Sequence, residues 1–267
     1  MTRNALLRHA AAGLGLPPAM PQPDEAALFL DLDGTLIEFA QTPDAVIIDD
    51  HLPSLLRDLA GATGGALAIV SGRPVAAIDA LLGLPELAVV GQHGAEVRHA
   101  DARMEQTVTA TPELDWAREQ VMALAPAAPG LLIEDKGIAL AFHYRESPRV
   151  EPLARELAAL ALLRAGAGFE LLHGDFVIEL KSIRVDKGRA LAALMTEPPF
   201  AGRQPWMLGD DFTDEPAFAM AQALGGTGVI VGARQPTAAH ASLADVAAAR
   251  AWLACVAAHE HRSEAAA

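Results

Sequence analysis

Ala27-Leu28-Phe29-Leu30-Asp31-Leu32-Asp33-Gly34-Thr35-Leu36 runs four apolar residues straight into two carboxylates, a glycine and a hydroxyl. A short, continuous apolar run of this kind reads as a strand buried on both faces, Ala27 to Leu32. Asp31 and Asp33 are two residues apart, so the strand repeat sends both side chains to the same side of the chain. Gly34 permits a tight exit. Asp-x-Asp alone would be an ordinary acidic turn; the full six-residue run from Asp31 to Leu36, after a buried strand, is far more specific.

The neighbouring segments extend this unit into a sheet. Ala66 to Val70, Leu87 to Val90, Pro205 to Leu208 and Val229 to Val231 are further short apolar strands, with helical spacing over Leu52 to Ala60 and Glu215 to Leu224. Buried strands joined by helices predict an α/β fold, a doubly wound parallel sheet covered on both faces, whose chemistry gathers at the carboxyl ends of the strands. Between Val97 and Lys181 the pattern changes. Met104 to Val108, Leu131 to Glu134, Ile138 to Tyr144, Phe169 to Leu172 and Phe176 to Leu180 alternate, and turn signals fall at Lys136-Gly137 and Gly174-Asp175. With helices over Pro112 to Leu124 and Pro148 to Arg164, this predicts a smaller α+β unit with antiparallel pairing, inserted into the larger one. The expected division is an arm at 1–25, a core at 26–98 and 183–267, and an inserted cap at 99–182. His259 to Ala267 reads as a fraying tail.

Bulk properties narrow the partners. The 267 residues are 52% hydrophobic and 20% charged, as an ordinary globular chain is. A net charge of -14 with no basic stripe excludes nucleic acid and disfavours anionic membrane surfaces. The first 20 residues hold no unbroken apolar core of signal-peptide length, and no long apolar run predicts a membrane span. Cys255 is the single cysteine, which excludes an internal disulfide. A soluble, cytoplasmic chain acting on a small molecule, as a monomer, is the expectation.

Three further stretches complete the chemistry. Ser71-Gly72-Arg73-Pro74 follows a strand and opens a helix, offering a hydroxyl and helix amides to an anion. Lys187 stands in Val185-Asp186-Lys187-Gly188. Gly209-Asp210-Asp211-Phe212-Thr213-Asp214-Glu215 follows another strand and crowds carboxylates that repel one another unless a cation intervenes. Oxygen ligands with no Cys/His cluster beside them suit magnesium, which would also neutralise an attacking carboxylate and a phosphate together.

These four elements, in this order, resemble the haloacid-dehalogenase superfamily of aspartate-nucleophile enzymes. The resemblance implies that Asp31 is phosphorylated, that Asp33 is the general acid and base, and that Ser71 and Lys187 hold the phosphoryl group. It assigns magnesium to Asp31, Asp33 and Asp210, with Asp211 and Asp214 in support, and places Gly34, Thr35, Gly72, Arg73 and Gly94 around the substrate. Within the superfamily, Glu38 to Ala45, Gly91-Gln92-His93-Gly94-Ala95-Glu96, Glu134-Asp135-Lys136 and His143-Tyr144-Arg145 resemble the trehalose-6-phosphate phosphatases. That implies Glu134, Lys136 and Glu179 on sugar hydroxyls, with Gln92 and His93 at the seam between core and cap. Two departures stand out: Lys181 where the family has Arg two residues after Glu179, and Leu32 where it has Phe. The alternatives are the same chemistry on sucrose phosphate or mannosyl phosphoglycerate, a phosphomutase, and a non-catalytic sugar-phosphate sensor.

Overall fold

Strand β1, Ala26–Asp31, is buried along its whole length because helices cover both of its faces. The computed structural model describes residues 18–19, 21–39, 46 and 48–264, with side chains described as far as residue 258. Most of the expected N-terminal arm, and residues 40–45 of the stretch after Asp33, lie outside the described residues. Leu28 and Leu30 pack on one side of β1, against helices α1 (His51–Ala62), α2 (Val75–Leu82) and α7 (Val246–Glu264). Ala27 and Phe29 pack on the other, against α5 (Lys187–Leu194) and α6 (Glu215–Ala223).

The main sheet has the order β12-β11-β10-β1-β2-β3-β4-β5. Its strands are β2 (Leu67–Val70), β3 (Ala88–Gly91), β4 (Glu96–Arg98), β5 (Met104–Gln106), β10 (Gln204–Gly209), β11 (Thr227–Val231) and β12 (Ala241–Leu243). From β12 to β3 all pairings are parallel. The order of strand addition switches sides between β1 and β10, and a crevice opens there at the carboxyl ends. β4 and β5 add an antiparallel hairpin to the edge. Met104 to Val108, expected in the inserted unit, thus supplies a strand of the main sheet. Its antiparallel, exposed pattern is that of an edge strand, and a tight turn joins it to β4 (His99 N–H to Arg103 C=O, 2.9 Å). Helix α7 takes in residues 259–264 of the expected C-terminal tail, since no Gly or Pro interrupts it, and residues 265–267 lie outside the described residues.

The second sheet, β6-β7-β9-β8, is fully antiparallel. It comprises β6 (Leu132–Asp135), β7 (Leu140–His143), β8 (Phe169–Gly174) and β9 (Val177–Ser182). Ile133, Leu140, Phe142, Ile178 and Leu180 pack beneath helices α3 (Pro112–Leu124) and α4 (Glu151–Ala165). The two-residue repeat therefore turns Glu134, Ala141, Glu179 and Leu172, which are neighbours across the register, to the opposite face. That face looks onto the carboxyl ends of the main sheet. No helix among the described residues is long and apolar enough to cross a membrane.

Candidate active site

The chain leaves β1 through a tight turn in which the Leu32 carbonyl accepts the amides of Leu36 (2.9 Å) and Ile37 (3.0 Å). Gly34 has φ +85°, and a Cβ there would collide with the Asp210 carboxylate. The turn and the loop after β10 are thereby packed side by side. Asp31 is buried, and its Oδ1 accepts from Lys187 Nζ at 2.6 Å. The same ammonium donates to Asp214 Oδ1, also at 2.6 Å. Lys187 opens α5, where Asp186 caps the helix by accepting the Arg189 amide at 2.8 Å.

Asp214 holds the acidic loop together: its Oδ2 accepts the amides of Asp210 and Asp211, both at 3.0 Å. Gly209 allows this, because a Cβ on it would strike the Asp214 side chain. Carboxylate oxygens of Asp31, Asp210 and Asp214 lie within 4.8 Å of one another, with one ammonium among them. The imbalance shows in the acidities. Burial, then Asp214, pushes Asp210 up to about 7. Burial likewise raises Asp31 well above the ordinary aspartate value, against the pull of Lys187. Burial works to neutralise Lys187, yet Asp214 and Asp31 overcome it and hold the ammonium above the usual lysine range. Three hard oxygen donors short of positive charge fit a divalent cation of the magnesium type.

Asp33 behaves differently. Its carboxylate is gripped by Arg73 in a fork, Nε to Oδ2 and Nη2 to Oδ1, both 2.7 Å, and does not belong to that three-carboxylate cluster. The Ser71 hydroxyl accepts the Arg73 amide at 3.2 Å and lines the same cavity. The α2 N-terminus, expected to offer amides to an anion, is already capped: Glu96 Oε2 accepts the Val75 amide at 2.9 Å.

From the second sheet, Glu179 and Lys136 close over this group. Glu179 Oε2 meets Lys136 Nζ at 3.0 Å and His93 Nε2 at 3.2 Å, and Lys136 Nζ reaches the Gly72 carbonyl at 3.0 Å. Burial favours neutral Glu179, but Lys136 and His93 overcome it and hold the carboxyl well below the usual range. Glu134 accepts from His143 at 2.8 Å, which, with Lys136, outweighs its burial and lowers it too.

One cavity is lined by Asp31, Asp33, Ser71, Gly72, Arg73, His93, Glu134, Lys136, Glu179, Lys187, Asp210 and Asp211. Gly34, Thr35, Gln92, Gly94 and Asp214 stand behind it. Thr35 is fully buried, with its hydroxyl 3.5 Å from Asp210 Oδ1. The Gln92 amide donates to Glu96 at 2.7 Å, and a Cβ on Gly94 would press on the Asp186 carbonyl. Lys181 turns away to Glu170 (2.7 Å) and the Val185 carbonyl (2.8 Å). The cavity also takes in Phe39, Arg145, Phe176 and Thr213, which sequence reasoning did not single out as site residues. The Arg145 guanidinium lies 5.2 Å from the Phe39 ring centre and 5.1 Å from that of Phe176, bridging the turn after β1 and the β8–β9 hairpin. The sequence signal for it was the His143-Tyr144-Arg145 run.

The family model for trehalose-phosphatase matches residues 29–248. A probable trehalose-phosphate phosphatase of Sinorhizobium fredii is 40% identical over 235 residues, covering 88% of each chain. The trehalose-6-phosphate phosphatase of Escherichia coli is 39% identical over 209 residues, 77% of each. Among solved structures, a trehalose-6-phosphate phosphatase related protein aligns with a TM-score of 0.70 at 26% identity, over 88% of this chain and 99% of that one. The C-terminal domain of the C. albicans trehalose-6-phosphate phosphatase shares the fold with a TM-score of 0.78 at 22% identity, over 91% of this chain and 99% of that one.

Proposed function

The chain belongs to the trehalose-phosphatase family, and from that premise we propose that it hydrolyses trehalose 6-phosphate to trehalose and phosphate through an aspartyl phosphate on Asp31. The observation that carries this reading is the meeting of two unlike groups round one cavity. A carboxylate cluster with a buried lysine comes from the main sheet, and a set of paired polar side chains comes from the second.

An Asp31 oxygen attacks phosphorus and the bond from phosphorus to the sugar oxygen breaks. Asp33 gives that oxygen its proton, then takes one from the water that opens the aspartyl phosphate. For this the Asp33 carboxylate must leave the Arg73 fork, and the incoming phosphoryl group is the anion that draws Arg73 away. Lys187 and Ser71 bind phosphoryl oxygens, and Lys187 pulls Asp31 towards the ionised form that attacks. Asp31 and Asp210 would hold magnesium with Asp214 behind them, and the metal when bound would offset charge on the phosphate and its attacker. Glu134, Lys136 and Glu179 accept and donate to sugar hydroxyls, and the second sheet with its helices acts as a cap over the core. A cytoplasmic monomer fits this role.

Phosphate release should be measured from trehalose 6-phosphate, sucrose phosphate and mannosyl phosphoglycerate, with magnesium and with a chelator. Release that is fastest from the first ester and lost on chelation is the expected outcome. Equal rates on all three would overturn the sugar assignment. Binding with no release would make the chain a sensor.

A further inference from the structure

The loop that carries Asp210 is gripped from two sides, and only one grip lies within the acidic motif. Asp214 takes the amides of Asp210 and Asp211. Their carbonyls point the opposite way and are taken by Arg234, from the connection between β11 and β12. Arg234 Nε donates to the Asp210 carbonyl at 3.0 Å and Nη2 to the Asp211 carbonyl at 3.2 Å. The same guanidinium lies 4.2 Å from the Phe212 ring centre, pairs with Glu215 and donates through Nη1 to the Pro236 carbonyl at 2.9 Å. Glu215 in turn accepts the Ala238 amide at 2.6 Å.

We infer that Arg234 is a positioning residue for the cation site: it fixes the backbone from which the Asp210 carboxylate projects towards Asp31. The inference rests on the cation site proposed above. Geometry rather than charge is its means, for two reasons. Glu215 neutralises the guanidinium, so little of its field reaches the cation. Two successive carbonyls and an aromatic face also require a planar fork, which a lysine ammonium does not supply. A ligand held by such outer hydrogen bonds loses metal affinity when they are removed, by about 10- to 100-fold.

The test is a magnesium chloride titration of the whole chain without substrate, read as the rise in Tm, for the parent, Arg234→Lys and Arg234→Met. The inference expects both variants to need at least about tenfold more magnesium for the half-maximal rise. It also expects their magnesium activation constant for phosphate release to move in step. A lower metal-free Tm with an unchanged magnesium midpoint overturns it, as that is what a merely structural role would give. A tighter midpoint in Arg234→Met overturns it in favour of simple charge repulsion. A parent chain with no magnesium-dependent rise overturns the cation site itself, and this inference with it. Should neither variant fold, Glu215→Gln loosens the guanidinium without removing it and should shift the midpoint the same way by less; no shift there overturns the proposal.

Discussion

The two sheets face one cavity with opposite charge balance. On the main sheet, Asp31, Asp210 and Asp214 share a single ammonium and are left short of positive charge. On the second, Glu179 has Lys136 and His93, and Glu134 has His143. An unbalanced buried cluster is costly by itself and calls for a cation. A paired one needs no cation and can exchange its internal hydrogen bonds for those of neutral hydroxyls, which would also reach Glu179 Oε1 and His93 Nδ1, both buried without a partner among the described residues. The difference places charge chemistry on one wall and recognition on the other.

The sharpest way to break that division is to weigh the walls against each other. Asp31→Asn should lower kcat by more than about 10⁴-fold, whereas Glu134→Gln should act mainly on KM. Equal losses in steady-state kinetics would abolish the distinction. Next in size, Asp33→Asn should cost about 10²- to 10⁴-fold in kcat, the usual worth of a general acid and base. Binding of the sugar ester, followed by calorimetry, should stay close to that of the parent.

On the recognition wall, Lys136→Met leaves buried Glu179 with only His93, and should cost about 3 kcal/mol of folding stability in urea titrations. Because Glu179 is held below its unfolded value of 4.5, its stabilisation is complete above that pH and fades as pH falls through the folded value. The stability gap between the parent and Glu179→Gln should therefore close in acid; a gap independent of pH would refute the pairing.

The smallest effect sharpens the unbalanced wall. Asp210 rises from 3.8 unfolded to about 7 in the metal-free fold, so between those values the fold binds more protons than the unfolded chain. Metal-free stability should then fall as pH rises through that window, and magnesium should reverse the trend by displacing the proton. Thermal melts with and without magnesium at pH 5 and pH 7.5 test the sign.

Much of this architecture is readable along the chain. Each core carboxylate follows a continuous apolar run, so strand and ligand announce one another. The alternation in Ile133-Glu134 and Ile178-Glu179 assigns one residue of each pair to the helices and the other to the cavity. Pairings between distant segments of ordinary composition are hidden. Arg73 lies 40 residues from Asp33 and Arg234 lies 24 from Asp210, and neither spacing carries a period. Strand β5 joins the main sheet rather than the inserted unit for a related reason: alternation marks antiparallel pairing but not which sheet supplies the partner.

Gly34 and Gly209 sit where two segments of the chain pass closely, and together they bear on how this protein can vary. Each abuts an aspartate of the acidic loop, and any added side-chain atom displaces a carboxylate that the cation cluster includes. Substitution at either position therefore disturbs the same cluster as substitution at Asp210 or Asp214, although a hydrogen atom performs no chemistry. The heritable unit at this site is a carboxylate together with the empty volume that admits it, and neither can drift without the other.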